Sequence, residues 1–185
     1  MHYIKSKIIN IENNLIIVEN NNIGYKGYLI DTLNRDLKID NEVKLFYLNY
    51  RNEFIDESLF FIDENVLNLS KQLLQIKYFG IKTLNNLFNN ISFNDLINYV
   101  NNQEIDKVMK LTNIKLNILK EVFSIVSDKI LNKKYNKKQM EIINSLHKLG
   151  YGINNIYKVI SIIDSSLDEE LILQKALFEL NEIKN

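Results

Sequence analysis

The sequence predicts an α+β chain whose first third consists of short strands and whose remainder is helical. Three observations carry that prediction. Up to Ile62, β-branched and aromatic residues come in short runs broken by Asn and Gly. From Asp63 onward, apolar residues recur every three or four positions, and a charged stretch at 133–138 then splits the helical part in two. With 46% hydrophobic and 25% charged residues among 185, the chain has material for one core or for two or three small ones.

Strands are expected at Tyr3 to Ile9, Leu15 to Glu19, Ile23 to Ile30, Val43 to Tyr50 and Ser58 to Ile62. Asn13-Asn14 and Asn20-Asn21-Asn22 tolerate left-handed turn backbone, while Gly24 and Gly27 offer flexibility or close backbone approach around Tyr25. Five short strands in so small a segment suggest a β-barrel of the OB type.

Asp63 is placed to N-cap a helix bearing Val66, Leu69, Leu73 and Ile76, and Ser92 with Asp95 marks a further helix start. The next long helix carries Leu116, Leu119, Phe123, Val126 and Ile130 on one face and Ile118, Val122 and Ile125 on the other, so burial on two sides is expected. Residues 133–138 form the candidate linker. Beyond it, Ile143, Leu146 and Leu149 make one stripe, Ile153, Ile156, Ile160 and Ile163 a second, and Leu173, Ala176, Leu177 and Leu180 a third. That pattern predicts a three-helix bundle whose last helix opens on a capping box at Ser166-Leu167-Asp168-Glu169. The expected domains are therefore 1–63, 64–132 and 139–185, with 133–138 between the last two.

Composition excludes several classes. Lys+Arg and Asp+Glu number 23 each, so no global positive field draws the chain onto nucleic acid and any such contact must be local. The absence of cysteine excludes disulfides, zinc-thiolate sites and thiol nucleophiles, and fits a reducing cytoplasm. The opening Met-His-Tyr-Ile-Lys-Ser-Lys lacks an apolar signal segment, and apolar runs such as Leu15 to Val18 and Leu59 to Ile62 are too short to cross a bilayer. A cytoplasmic protein without membrane attachment is expected. No Gly-Lys-Ser or Gly-Lys-Thr phosphate loop is present, and His2 and His147 are the only histidines, so neither ATP hydrolysis nor a histidine-based dyad is expected. No catalytic residue, metal or cofactor is assigned. Asp56, Glu57, Asp63 and Glu64 are a conceivable Mg²⁺ set, but an acidic hairpin and a helix N-terminus account for them as well. Asn, Ile and Lys are heavily used and Pro is absent, a bias under which glycine-based turn motifs erode.

Three stretches then carry a family resemblance. Leu73 to Phe88 contains Tyr78-Phe79-Gly80-Ile81-Lys82, Val108 to Asn117 contains Thr112-Asn113-Ile114-Lys115-Leu116, and Ile143 to Tyr151 ends in Leu-Gly-Tyr. Together with the order barrel, helical middle and small bundle, these resemble the RuvA family of Holliday junction branch migration subunits along essentially the whole chain. The first stretch keeps one Gly and the Lys of that family's usual Gly-Val-Gly-Pro-Lys hairpin. The second has lost both glycines of Leu-Pro-Gly-Val-Gly-Lys-Lys, with Asn113 suited to a left-handed position. The third also fits small bundles of the ubiquitin-associated type.

The resemblance implies a non-catalytic subunit acting in DNA recombination and repair, including the SOS response to DNA damage. Its barrel would assemble a homotetramer or octamer, and its two helix-hairpin-helix motifs would bind four-way junction DNA. Phosphate would be met by backbone N–H groups of residues 78–82 and 112–116, with charge added by Lys82 and Lys115. The loop from Tyr50 to Ser58 matches the family's acidic pin, with Arg51 preceding Asn52, Glu53, Asp56 and Glu57, and is about two residues longer than usual. The end bundle would dock the hexameric RuvB ATPase through Leu146, Leu149 and Tyr151, and the RuvC resolvase is a further partner where one is present. From spacing alone, the same hairpins read equally as ordinary helix connections in a core, the acidic loop as a solvated hairpin tip, and Leu146 and Leu149 as packing residues. A different class also fits: a protein-only scaffold of the same fold that has lost junction binding along with its hairpin glycines.

Overall fold

The computed structural model describes residues 3–30, 33, 37–51, 53–131 and 135–184. The chain forms two compact units, one ending at Phe93 and the other beginning at Asn94.

The first unit opens with strands β1 (Tyr3–Glu12), β2 (Leu15–Asn20), β3 (Ile23–Ile30), β4 (Glu42–Arg51) and β5 (Asp56–Phe61), closed in the order β1-β2-β3-β5-β4. All pairings are antiparallel except β3 with β5, which run parallel from Tyr28↔Leu59 to Ile30↔Phe61. This is the expected OB-type barrel. Alternation places Ile4, Ile8, Ile16, Val18, Leu29, Leu45 and Phe60 inside. A register shift between Ile8 and Asn10 bends β1 where the inward alternation stops. Asn13, Asn21 and Asn22 all take positive φ, the role their amide side chains suit in tight turns. Gly24 has nothing near its would-be side chain, whereas Gly27 lies hard against Ser58 and Phe60.

Helix α1 (Glu64–Leu73) follows, N-capped by Asp63, whose carboxylate accepts the Asn65 N–H at 2.8 Å. It rests on β4 and β5, and α2 (Ile81–Asn90) rests on β3.

The second unit holds the rest of α3 (Phe93–Asn101) and then α4 (Ile105–Thr112), α5 (Leu116–Lys129), α6 (Lys137–Lys148), α7 (Ile153–Ile162) and α8 (Glu169–Lys184). Helix α5 buries Leu119, Val122, Phe123 and Val126 and half-buries Ile118 and Ile125, close to the expected two-sided helix. The last three helices pack on one another as predicted, and α7 also packs against α4. Tyr157 of α7 explains why the core is shared: its ring lies 6.5 Å from that of Phe123 on α5 and 5.5 Å, edge-on, from that of Tyr135. The Gln103 side-chain amide donates to the Tyr135 hydroxyl at 3.1 Å, and Lys120 Nζ donates to Asn144 Oδ1 at 2.9 Å.

Of the linker segment, residues 133 and 134 lie outside the described residues. Tyr135 is packed as above, and Asn136 caps α6 in a reciprocal capping box with Gln139. The box expected at Ser166 is not formed there. Asp164 Oδ1 instead accepts the Ser166 N–H in a turn, and α8 starts only after Asp168, whose carbonyl takes the first helical bond from Ile172.

The Tyr157 hydroxyl is buried with no hydrogen-bond partner among the described residues. Burial pushes its phenol pKa well above the ordinary value, and burial likewise pushes Tyr135 up to about 12 against the opposing Gln103 hydrogen bond. Both folded values exceed those of the unfolded chain, near 10. The contribution to stability is therefore complete below about pH 10 and is lost as pH climbs from there through the folded values. Urea denaturation from pH 8 to 12 should show that decline. Tyr157→Phe, which removes an unpaired buried hydroxyl, should flatten it and raise stability near neutral pH by about 1 kcal/mol.

Candidate nucleic-acid interface

The first hairpin joins α1 to α2. Tyr78 occupies the left-handed region at φ 67°, a conformation that glycine adopts without steric cost; the residue is 79% exposed, with Lys77 Nζ 5.0 Å from its ring centroid. Phe79 has another role: its side chain is buried and its N–H donates to the Ile76 carbonyl at 3.0 Å. The amide set anticipated at 78–82 therefore loses Phe79. Gly80 is the N-cap of α2 and offers no side-chain cap, and the first helical bond runs from the Leu84 N–H to the Gly80 carbonyl. The N–H groups of Ile81, Lys82 and Thr83 precede that bond and point out of the helix end. Lys82 is exposed there, Ile81 is buried at the turn, and no carboxylate sits in the first turn.

The second hairpin joins α4 to α5. Asn113 takes the left-handed position expected of it, at φ 54°, and its N–H closes on the Met109 carbonyl at 2.8 Å. Thr112 is buried; its hydroxyl donates to the Val108 carbonyl at 2.7 Å and accepts the Ile114 N–H at 3.3 Å. Ile114 is buried as well. Three of the five anticipated amides are thus already engaged: that of Thr112 in the last turn of α4, and those of Asn113 and Ile114 in the turn itself. Exposed Lys115 is the N-cap of α5, followed by half-buried Leu116, and this end too lacks both a side-chain cap and a first-turn carboxylate. The threonine hydroxyl, not a glycine, shapes this turn, and only a Thr two residues before the turn isoleucine hinted at it.

The acidic loop is shorter in space than in sequence. The β4–β5 ladder continues through Tyr50↔Glu57 and Arg51↔Asp56, leaving 53–55 of the described residues at the tip. Asn52 lies outside the described residues. Glu53 and Asp56 are exposed and Glu57 is half-buried; Asp56 pairs with Arg51 at 3.6 Å. Neighbouring strand positions face opposite sides, so Asp56 and Glu57 diverge. Among the described residues no group of three or more acidic or histidine side chains could hold a metal, so the Mg²⁺ set considered above does not assemble.

In the end bundle Leu146 is fully buried, which leaves it a packing residue. Leu149, expected in the same stripe, is 69% exposed because α6 ends at Lys148. The Gly150 N–H bonds to the His147 carbonyl and the Tyr151 N–H to the Leu146 carbonyl, with Gly150 at φ 91°, a Schellman closure that turns Leu149 outward. Tyr151 is half-buried and its hydroxyl donates to Asn181 Oδ1 at 3.1 Å. His147 is half-buried with Nδ1 3.4 Å from the Tyr151 carbonyl oxygen, a structural position. No helix among the described residues is long and apolar enough to cross a membrane.

A closed barrel followed by two hairpins, each leading into a helix with no side-chain cap and no carboxylate in its first turn, and by a small helical bundle defines a barrel and helix-hairpin-helix protein. The chain is RuvA-like over essentially its whole length. It is 27% identical over 183 residues to the Holliday junction branch migration complex subunit RuvA of Mycoplasma mycoides subsp. mycoides SC, covering 99% of this chain and 98% of that protein. It is 28% identical to the RuvA subunit of Mycoplasma capricolum, covering 99% and 98%, and 28% identical to that of Phytoplasma mali, covering 96% of each. No protein-family model matches the chain.

Proposed function

We propose that this chain is the non-catalytic DNA-binding subunit of a branch migration complex, recognising four-way junctions and recruiting a RuvB-type hexameric ATPase in recombination and repair. The observation that carries the reading is the end-to-end likeness to proteins named as subunits of such a complex. The geometry supports it, since a helix N-terminus with unbonded N–H groups and an adjacent lysine receives phosphate without regard to base sequence. In this reading Ile81, Lys82 and Thr83 supply the stronger site, Lys115 and Leu116 a weaker one, and Tyr78 its side chain. Glu53, Asp56 and Glu57 repel phosphate at the crossover. Leu149 and Tyr151 meet the motor, and Leu146 holds their helix in place. The barrel to residue 63 assembles the homotetramer or octamer, 64–132 binds DNA, and 139–185 reaches the motor, in a cytoplasmic complex that RuvC joins where present.

The protein-only scaffold is favoured by one observation, the internal engagement of the Asn113 and Ile114 amides. A gel-shift titration with a four-way junction and a matched linear duplex, at low and moderate salt, separates the two. Salt-sensitive preference for the junction without cleavage is expected; equal or absent binding to both would leave the scaffold.

A further inference from the structure

We infer that Phe54, at the tip of the β4–β5 hairpin, is an aromatic wedge that stacks on an unstacked base at the centre of a DNA junction. The inference rests on the proposed function, and deepens it by naming what this tip recognises. Phe54 is 91% exposed, the highest exposure of any large hydrophobic residue among those described, and Ile55 beside it is 37% exposed. A ring this exposed at a hairpin tip offers an apolar, polarizable face for contact with another molecule. The hairpin is well supported: its ladder reaches Arg51↔Asp56, and the Arg51–Asp56 ion pair braces the last rung.

Charge selects the occupant. Glu53 and Asp56 flank Phe54 in sequence, both exposed, and Arg51 pairs with Asp56. A phosphate backbone is repelled by such a tip, whereas the face of a base is uncharged and stacks on aromatic side chains whatever its sequence. Continuous duplex hides base faces inside the stack and presents phosphate outward. Only a discontinuity, such as a crossover, offers a face to an apolar side chain, which there opens a base step as inserted wedges do. Carboxylates alone would keep phosphate away, but they supply nothing for the freed base to rest on; the ring does.

The test uses the full chain and four-way junctions carrying 2-aminopurine either next to the crossover or within an arm. Wild type should raise emission at the crossover position and leave the arm position unchanged. Phe54→Ala should still retard the junction, with affinity reduced about fivefold, and should lose most of the crossover signal. An unchanged crossover signal in a retarded Phe54→Ala complex would overturn the wedge while leaving the proposed function standing, and a change of oligomeric state by light scattering with that signal intact would assign the ring to contact between copies. Failure of wild type to prefer the junction, read on the gel, would sink the proposed function and the wedge with it.

Discussion

Gly27→Ala is expected to cost the barrel more than about 3 kcal/mol, measured as a loss of unfolding free energy in urea. A Cβ at residue 27 would land on the Ser58 carbonyl oxygen, 2.7 Å from Phe60 Cε2 and 2.9 Å from Ser58 Cβ. The phenyl ring cannot swing away, because Phe60 fills the barrel core. The carbonyl cannot shift either without disturbing β5, which is paired on one side with β4 through Asn49↔Ser58 and on the other with β3 from Tyr28↔Leu59. Gly24→Ala, three residues earlier in the same strand with nothing within 4 Å, serves as the control and should stay within about 0.5 kcal/mol of wild type. Equal effects at the two positions would show that strand glycine content, and not the close approach, sets the cost.

Lys82→Glu is expected to lower junction affinity about a hundredfold at low salt and to reduce the slope of log affinity against log salt by about 1. The substitution removes a positive charge beside the Ile81, Lys82 and Thr83 N–H groups and puts a carboxylate into the anion position itself. It also separates binding from folding. A carboxylate in the first turn of α2, which has none, complements the helix dipole and should raise thermal stability slightly. A variant that melts no lower than wild type and binds far more weakly assigns the loss to the site. Lys115→Glu should weaken binding less, because two neighbouring amides are already spent inside the second hairpin. Undiminished junction binding by the Lys82→Glu protein would remove the first hairpin from the interface.

Much of this protein was legible in its residues because the signals are local. Alternation and Asn-rich turns locate the strands closely, since a half-buried strand needs period two and its turns need residues that tolerate positive φ. Asp63 and Asn113 take the cap and turn roles that short polar side chains serve anywhere. The carboxylate-free starts of α2 and α5 can likewise be read directly from the sequence.

Tertiary structure decided the rest, because burial and hydrogen bonding settle which side chains and amides stay available. Burial of Phe79 ties its amide to Ile76, and the Thr112 hydroxyl consumes the Ile114 amide, so anion donors counted by register exceed those available. Leu149 falls on an apolar stripe but faces water because Gly150 ends the helix first. Tyr135 sits in a stretch that charge marks as linker, yet packs on Tyr157 because an aromatic edge and the Gln103 amide await it. Phe54 reads in sequence as one apolar residue in an acidic loop; the ladder extending to Arg51 and Asp56 is what lifts it to the tip. Period and capping are properties of neighbouring residues and survive in the sequence alone, whereas exposure and hydrogen-bond availability depend on the whole fold.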